Sequence, residues 1–133
     1  DVSKALALGA DAVSIGSAAM IAIGDNDPKW EKEYKKLGTV SGAYDDWHEG
    51  NDPAGISTQD KKLMKRLDPI KAGKKLSNYL KVMTLEAQTI ARACGKNNLH
   101  NLEPEDLCAL SVESAAMARV PLAGTNWIPG LDT

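Results

Sequence analysis

The period of the apolar positions changes several times along the chain, and each change marks an element. Val2, Ala5, Leu6 and Leu8 form a helical stripe, and Gly9 follows where a left-handed C-terminal cap belongs. Residues 11–16, Asp-Ala-Val-Ser-Ile-Gly, predict a short buried strand, apolar at Ala12, Val13 and Ile15. Residues 17–24, Ser-Ala-Ala-Met-Ile-Ala-Ile-Gly, predict a helix of small residues closed by Gly24. Helix, tight turn, strand and helix start make half of an α/β repeat. A further helix is bounded by Asp27 as N-cap, Pro28 at the first helical position and Gly38 as its stop. Trp30, Tyr34 and Leu37 fall on one face of it. Residues 38–59 hold four glycines and no sustained period, which predicts a long surface loop.

The strongest helical pattern follows. Asp68-Pro69 opens it, and Leu76, Leu80, Met83, Ala87, Ile90 and Cys94 mark one face over about five turns. Gly95 closes it. Residues 103–119 predict one more helix, with Pro104 early, acids in the first turn and Arg119 in the last, as the helix dipole prefers. Residues 120–130 read as an irregular tail. The chain divides into residues 1–24, 25–59 and 60–133. A single predicted strand cannot make a sheet, so its partners are expected from sequence before Asp1 or from another chain.

Composition narrows the classes. The 133 residues suffice for one domain with a core. Sixteen basic against eighteen acidic side chains give a net charge of −2, which is no footprint for nucleic acid. The longest apolar run, residues 12–24, is interrupted and too short to span a bilayer. Asp1 opens without a basic region and a hydrophobic run, so no signal peptide is expected in these residues. Cys94 and Cys108 point to a reducing compartment, hence an expected cytoplasmic location. The chain opens at Asp1 inside a helical pattern, as expected of a piece of something longer.

Three groups of residues carry candidate chemistry. Ile15-Gly16-Ser17 ends the predicted strand at a helix start, where free backbone N–H groups suit a phosphate; a tight junction of small residues is the other reading. Asp45, Asp46, His48, Glu49 and Asp52 could hold a divalent ion, but they lack the spacing of a known calcium loop. A solvated acidic loop anchored by Tyr44 and Trp47 is the favoured reading. Cys94, His100 and Cys108 do not fit zinc spacings. Both cysteines are expected as buried thiols on apolar helix faces, His100 as a turn residue, and Trp127 packed into a neighbouring surface.

Residues 1–24, "DVSKALALGADAVSIGSAAMIAIG", resemble the last part of the FMN-binding barrel of the glutamate synthase family. The likeness is more specific to its shorter members, which include the flavin subunit of N-methylglutamate synthase. Residues 76–110 and 115–130 resemble the helices and tail that follow the barrel. The resemblance implies a C-terminal fragment of a TIM (β/α)₈ barrel, its last strand ending at Ile15-Gly16-Ser17, followed by a mostly helical extension. It implies that Gly16 and Ser17, with Ala18 as a third N–H, grip the FMN phosphate. It also implies reductive amination of 2-oxoglutarate to glutamate, or transfer of the amino group of glutamate to methylamine. The implied partners are the rest of the barrel and a glutamine-amidotransferase-type subunit or domain. Catalytic residues would lie on earlier strands, and Thr58 and Gln59 would border the flavin.

One departure stands out. The family carries a three-iron cluster on cysteines after the last strand. Here Gly24 is followed by Asp25, and Trp47 and Asp52 stand where other cysteines would fall, although His48, Pro53, Gly55, Thr58 and Gln59 are kept. The helix from Asp27 to Leu37 reads as an insertion. A cluster needs thiolates, so none is expected here. Two other readings stay open. One is a non-catalytic interaction module. The other is a different phosphate-binding barrel, similar to hydroxy-acid oxidases or inosine-phosphate dehydrogenases; those lack the loop at 52–59 and the long C-terminal helices.

Overall fold

The computed structural model describes residues 1–131. Among them lie five α-helices: α1 Val2–Ala7, α2 Ser17–Ile23, α3 Glu31–Lys36, α4 Pro69–Ala93 and α5 Val112–Ala118. Short 3₁₀ turns punctuate the connections. The β-pairing among the described residues is one isolated parallel bridge, Ala109 with Leu122. The strand expected at 11–16 is therefore not formed. Ala12 and Ser14 are exposed, and Val13 and Ile15 only half-buried. A strand is defined by its ladder, and no neighbouring strand among the described residues supplies one.

The chain folds as two compact units, Asp1–Ser14 with Met83–Thr133, and Ile15–Val82. Helix α4 contributes its first half to the second unit and its second half to the first. No described helix is long and apolar enough to cross a membrane.

In the first unit, α1 packs on the 3₁₀ turn Leu99–Asn101. Gly9 takes φ +101°, its N–H donates to the Leu6 carbonyl at 2.9 Å, and the Ala10 N–H reaches back to Ala5 at 3.0 Å. That left-handed residue satisfies the helix's last carbonyls, as the sequence predicts. Ala7, Ala91 and Leu102 form one small core, with Cys94, Leu99 and Leu107 against it. Ala109, Ala115 and Val120 form another, with Leu107, Ala118 and Leu122.

The helix expected over 103–119 is broken. Pro104–Asp106 form a 3₁₀ turn, closed by the Asp106 carboxylate on the Glu103 N–H at 3.0 Å. Leu107 is then extended, and Ala109 exchanges hydrogen bonds with the tail: its N–H donates to Pro121 at 2.8 Å, and its carbonyl accepts from Ala123 at 2.8 Å. Ser111 restarts helix as the N-cap of α5, accepting from the Ser114 N–H at 3.2 Å. Two capping residues, Glu103 and Ser111, compete for one helix start, and the tail satisfies the backbone between them. Arg119 is not in the last turn; it is the left-handed residue after it, at φ 54°. Cys108 is thus exposed and off any helix, against expectation, whereas Cys94 is half-buried.

Helix α4 starts as predicted, with the Asp68 carboxylate accepting from the N–H groups of Ile70 and Lys71. It also ends as predicted: Gly95 donates to Arg92, and Lys96 to Ala91. Its buried residues are Ala72, Ala87 and Ala91. The predicted stripe is covered only in part. Leu76, Met83 and Cys94 are half-buried, and Leu80 and Ile90 are exposed.

In the second unit, Asp27 accepts from the Lys29 N–H at 3.0 Å, and Pro28–Trp30 form a 3₁₀ turn that feeds α3. Tyr34 is fully buried and packs on Tyr44 at 5.7 Å between ring centroids. Leu37, expected on the same face, is exposed. The larger correction concerns the loop. Tyr44, Asp52, Ala54, Gly55 and Thr58 are buried, so much of the expected surface loop is the centre of its unit.

Candidate functional site

Two places bear on function, and both lie in the unit Ile15–Val82. The first is the start of α2. Gly16 is its N-cap at φ 42°, ψ −112°, with open space where a Cβ would stand. Gly16 and Ser17 are exposed, and their backbone N–H groups make no hydrogen bond among the described residues. The Ala18 N–H donates to the Ile15 carbonyl at 3.2 Å, and the Ala19 N–H to Gly16 at 3.0 Å. The structure thus leaves two open donors at this turn and gives the third expected one, on Ala18, an internal partner. Open N–H groups at a helix start suit an anionic oxygen.

The second place is the buried centre of the loop. Asp52 is completely buried, and it organises the five residues after it. Its Oδ1 accepts from the Ala54 N–H at 2.9 Å; its Oδ2 accepts from Ile56 at 2.8 Å and Ser57 at 3.0 Å. Three converging N–H groups satisfy both carboxyl oxygens of this buried side chain. Gly55, at φ +79°, lets the Leu63 carbonyl pass where any side chain would collide. Arg66 seals the other side. Its guanidinium donates to the Pro53 carbonyl at 2.8 Å, meets Glu33 at 3.6 Å and stacks 4.2 Å over the Trp30 ring.

Asn26 ties this loop to the end of α2. It sits at φ 56°, and its amide pairs with Tyr44 at both ends: the Tyr44 N–H donates to Oδ1 at 2.9 Å, and Nδ2 donates to the Tyr44 carbonyl at 3.1 Å. Nδ2 also donates to Asp25 Oδ2 at 2.9 Å. Asp25 is 4% exposed. Burial pushes its carboxyl above the usual range, the Asn26 amide opposes that, and the nearby Asp52 charge adds to it. The Trp47 indole lies beside it and lowers it slightly, yet Nε1 has no partner of hydrogen-bond geometry. Asp25 Oδ1 and the Tyr34 hydroxyl are likewise buried without a partner. Burial, then Asp52 and Asp25, drive the Tyr34 phenol far above its ordinary pKa.

Asp25, Trp47 and Asp52 are the three positions at which the resemblance puts cysteines; Asp25 and Asp52 are buried, and Trp47 is half-buried beside Asp25. Two carboxyls and an indole do not offer the thiolates that an iron–sulfur cluster needs. Sequence reading flagged these residues one by one and missed Asn26 and Arg66, whose importance lies in backbone groups far along the chain.

The other candidates separate. Asp46, His48 and Glu49 bring ligand atoms within 4.8 Å of one another, all on exposed side chains. Asp52, expected with them, is buried and engaged elsewhere. Cys94, His100 and Cys108 are not brought together as a ligand group. Thr58 is buried and accepts from the Asp60 N–H at 3.0 Å, a turn role, while Gln59 is exposed. Trp127 is 40% exposed.

Comparison with known proteins bears on both places. A family described as "conserved region in glutamate synthase" matches residues 1–28 and 43–97. The unmatched stretch between them holds α3, the helix read as an insertion. The chain is 79% identical over all of its 133 residues to a glutamate synthase large subunit-like protein of Rhizobium meliloti, and covers 30% of that protein. It is 37% identical over 102 residues to an archaeal glutamate synthase (NADPH) of Methanocaldococcus jannaschii, covering 77% of this chain and 17% of the relative. An archaeal-type glutamate synthase (NADPH) of Dehalococcoides mccartyi is 34% identical over 128 residues, 93% of this chain and 22% of that one. The chain therefore spans less than a third of the length of each. No solved structure matches.

Proposed function

The chain belongs to the glutamate synthase family, and from that premise we propose that it is the C-terminal part of a flavin-dependent glutamate synthase. In the complete protein, residues 11–16 form the last strand of a (β/α)₈ barrel once neighbouring strands supply the ladder. This segment's task is then to help hold FMN. The open N–H groups of Gly16 and Ser17 bind the phosphate, and the absent Cβ at Gly16 lets the backbone approach it. The bound flavin supplies hydride chemistry, with which 2-oxoglutarate and ammonia yield glutamate. The proposal puts no acid, base or substrate clamp on these 133 residues. It also puts no iron–sulfur cluster here, because Asp25, Trp47 and Asp52 offer carboxyls and an indole in place of thiolates.

The observation that supports this reading most is the identity of 79% over all 133 residues of the chain. The test belongs to the full-length protein. Ser17→Pro removes one N–H at a position where proline suits a helix start. It should weaken flavin retention about tenfold, the loss of one hydrogen bond to a charged group. Gly16→Val should do at least as much. Full flavin content in both variants rejects the phosphate role, and a three-iron spectrum traced to this segment rejects the cluster-free core.

A further inference from the structure

The end of α4 and the turn Leu99–Asn101 border a cavity of about 400 Å³, wholly within the unit that holds Met83–Thr133. That volume falls in the range of small-molecule sites, roughly 300–1,000 Å³. Gln88, Arg92, Lys96, Asn97, Asn98 and His100 line it, and no aspartate or glutamate among the described residues does. The apolar part of the wall is Ala91 and Leu99. Both belong to the small core around Ala7 and Leu102, which fixes that wall in place.

The polar lining is rich in free donors and poor in free acceptors. Asn98 Oδ1 accepts the His100 backbone N–H at 3.0 Å, which sets the orientation of the amide. Its Nδ2 is left without a partner among the described residues. Asn97 Oδ1 accepts from Asn101 Nδ2 at 3.0 Å, so Asn97 also keeps its NH₂ group free. Lys96 is already engaged, with Nζ at 2.8 Å from Glu103 and 3.5 Å from Asp106. The Arg92 guanidinium makes no ion pair or hydrogen bond among the described residues, so it is the uncompensated charge of this cavity. A cation would find no carboxylate here. An oxyanion finds a planar guanidinium fork and amide donors.

We propose that this cavity binds a small anionic metabolite by a phosphate or carboxylate group, with Arg92 as counter-charge and Asn98 Nδ2 as the donor that orients it. The cavity is larger than a bare phosphate needs. Gln88, which offers both a donor and an acceptor, and His100 meet the polar body of the ligand. The site shares no residue with the Gly16–Ser17 turn, and the proposal does not rest on the flavin reading.

The experiment is isothermal titration calorimetry of the full-length protein with inorganic phosphate and with glutarate, at an ionic strength held constant with chloride. At least one probe should bind at a single site with a Kd of about 1 mM, as two charge-assisted hydrogen bonds provide. Phosphate alone assigns a phosphate-bearing ligand, glutarate alone a carboxylic acid, and binding of both a site for either group. Arg92→Gln should weaken binding about tenfold. Asn98→Asp keeps the turn, because aspartate caps as asparagine does, and puts a carboxylate where the free NH₂ group stood. It should weaken binding at least as much. Ser17→Pro should leave the affinity unchanged. No binding of either probe at about ten times the expected Kd, or unchanged affinity in either cavity variant, overturns the proposal. So does loss of binding in Ser17→Pro, since the anion then sits at the start of α2. If Asn98→Asp does not fold, Arg92→Gln, an exposed position on α4, still decides.

Discussion

The loop at 43–58 and helix α4 exchange the roles that their patterns suggest. The loop holds glycine and acid, and Tyr44, residues 52–55 and Thr58 of it lie buried, while Asp45, Asp46, His48 and Glu49 stay exposed. Helix α4 carries the strongest apolar stripe of the chain, yet Leu80 and Ile90 of that stripe are 39% and 48% exposed. What separates them is satisfaction of polar groups and supply of neighbours. A loop can be buried when each inward N–H finds an acceptor, and Asp52 provides three such bonds. An apolar stripe is buried only where another surface covers it, and in this chain Ala72, Ala87 and Ala91 are the positions so covered.

The sharpest way to break this contrast is to remove the acceptor. Asp52→Ala leaves three N–H groups without their carboxylate, and should cost about 3 kcal/mol or unfold the unit outright. Urea unfolding measures it, and a loss no larger than that of an exposed aspartate would return the loop to the surface. Next in size is Gly55→Ala. The new Cβ meets the Leu63 carbonyl at a positive φ, for an expected loss of about 2 kcal/mol.

The same substitution in the helix should act in the other direction. Gly73 lies inside α4 with open space around its missing Cβ, so Gly73→Ala should stabilise by about 1 kcal/mol. Opposite signs for two glycine-to-alanine changes, read as shifts of the urea midpoint, would fix the comparison within one experiment. The smallest effect is expected off that stripe, on the helix's exposed side: Leu85→Lys should change stability by no more than about 0.5 kcal/mol. A markedly larger loss would mean that this face is covered in solution.

Local signals were read well wherever a single residue closes a single turn. The stops at Gly9, Gly24, Gly38 and Gly95 all occur at positive φ, and the caps at Asp27 and Asp68 form as expected. Such features depend on backbone groups within about one helical turn, which the sequence lists side by side. The split of the 103–119 helix was half legible, because Ser111 is a capping residue in plain view. Its partner signal, the pairing of Ala109 with the tail, was not.

The candidate site divides in the same way. Gly16 and Ser17 could be named in advance, since the glycine and the helix start are neighbours in the chain. Asp25, Asn26, Tyr34, Tyr44, Trp47 and Asp52 could not be assembled, because the bonds from Asn26 to Tyr44 cross eighteen positions with no period to announce them.

The sequence by itself determined where helices start and stop, which family's residues it resembles, and that no thiol stands at Asp25, Trp47 or Asp52. The tertiary structure alone decided which polar residues go inside. Burial of a carboxyl depends on the donors that fold around it, and those come from parts of the chain that only the fold brings together.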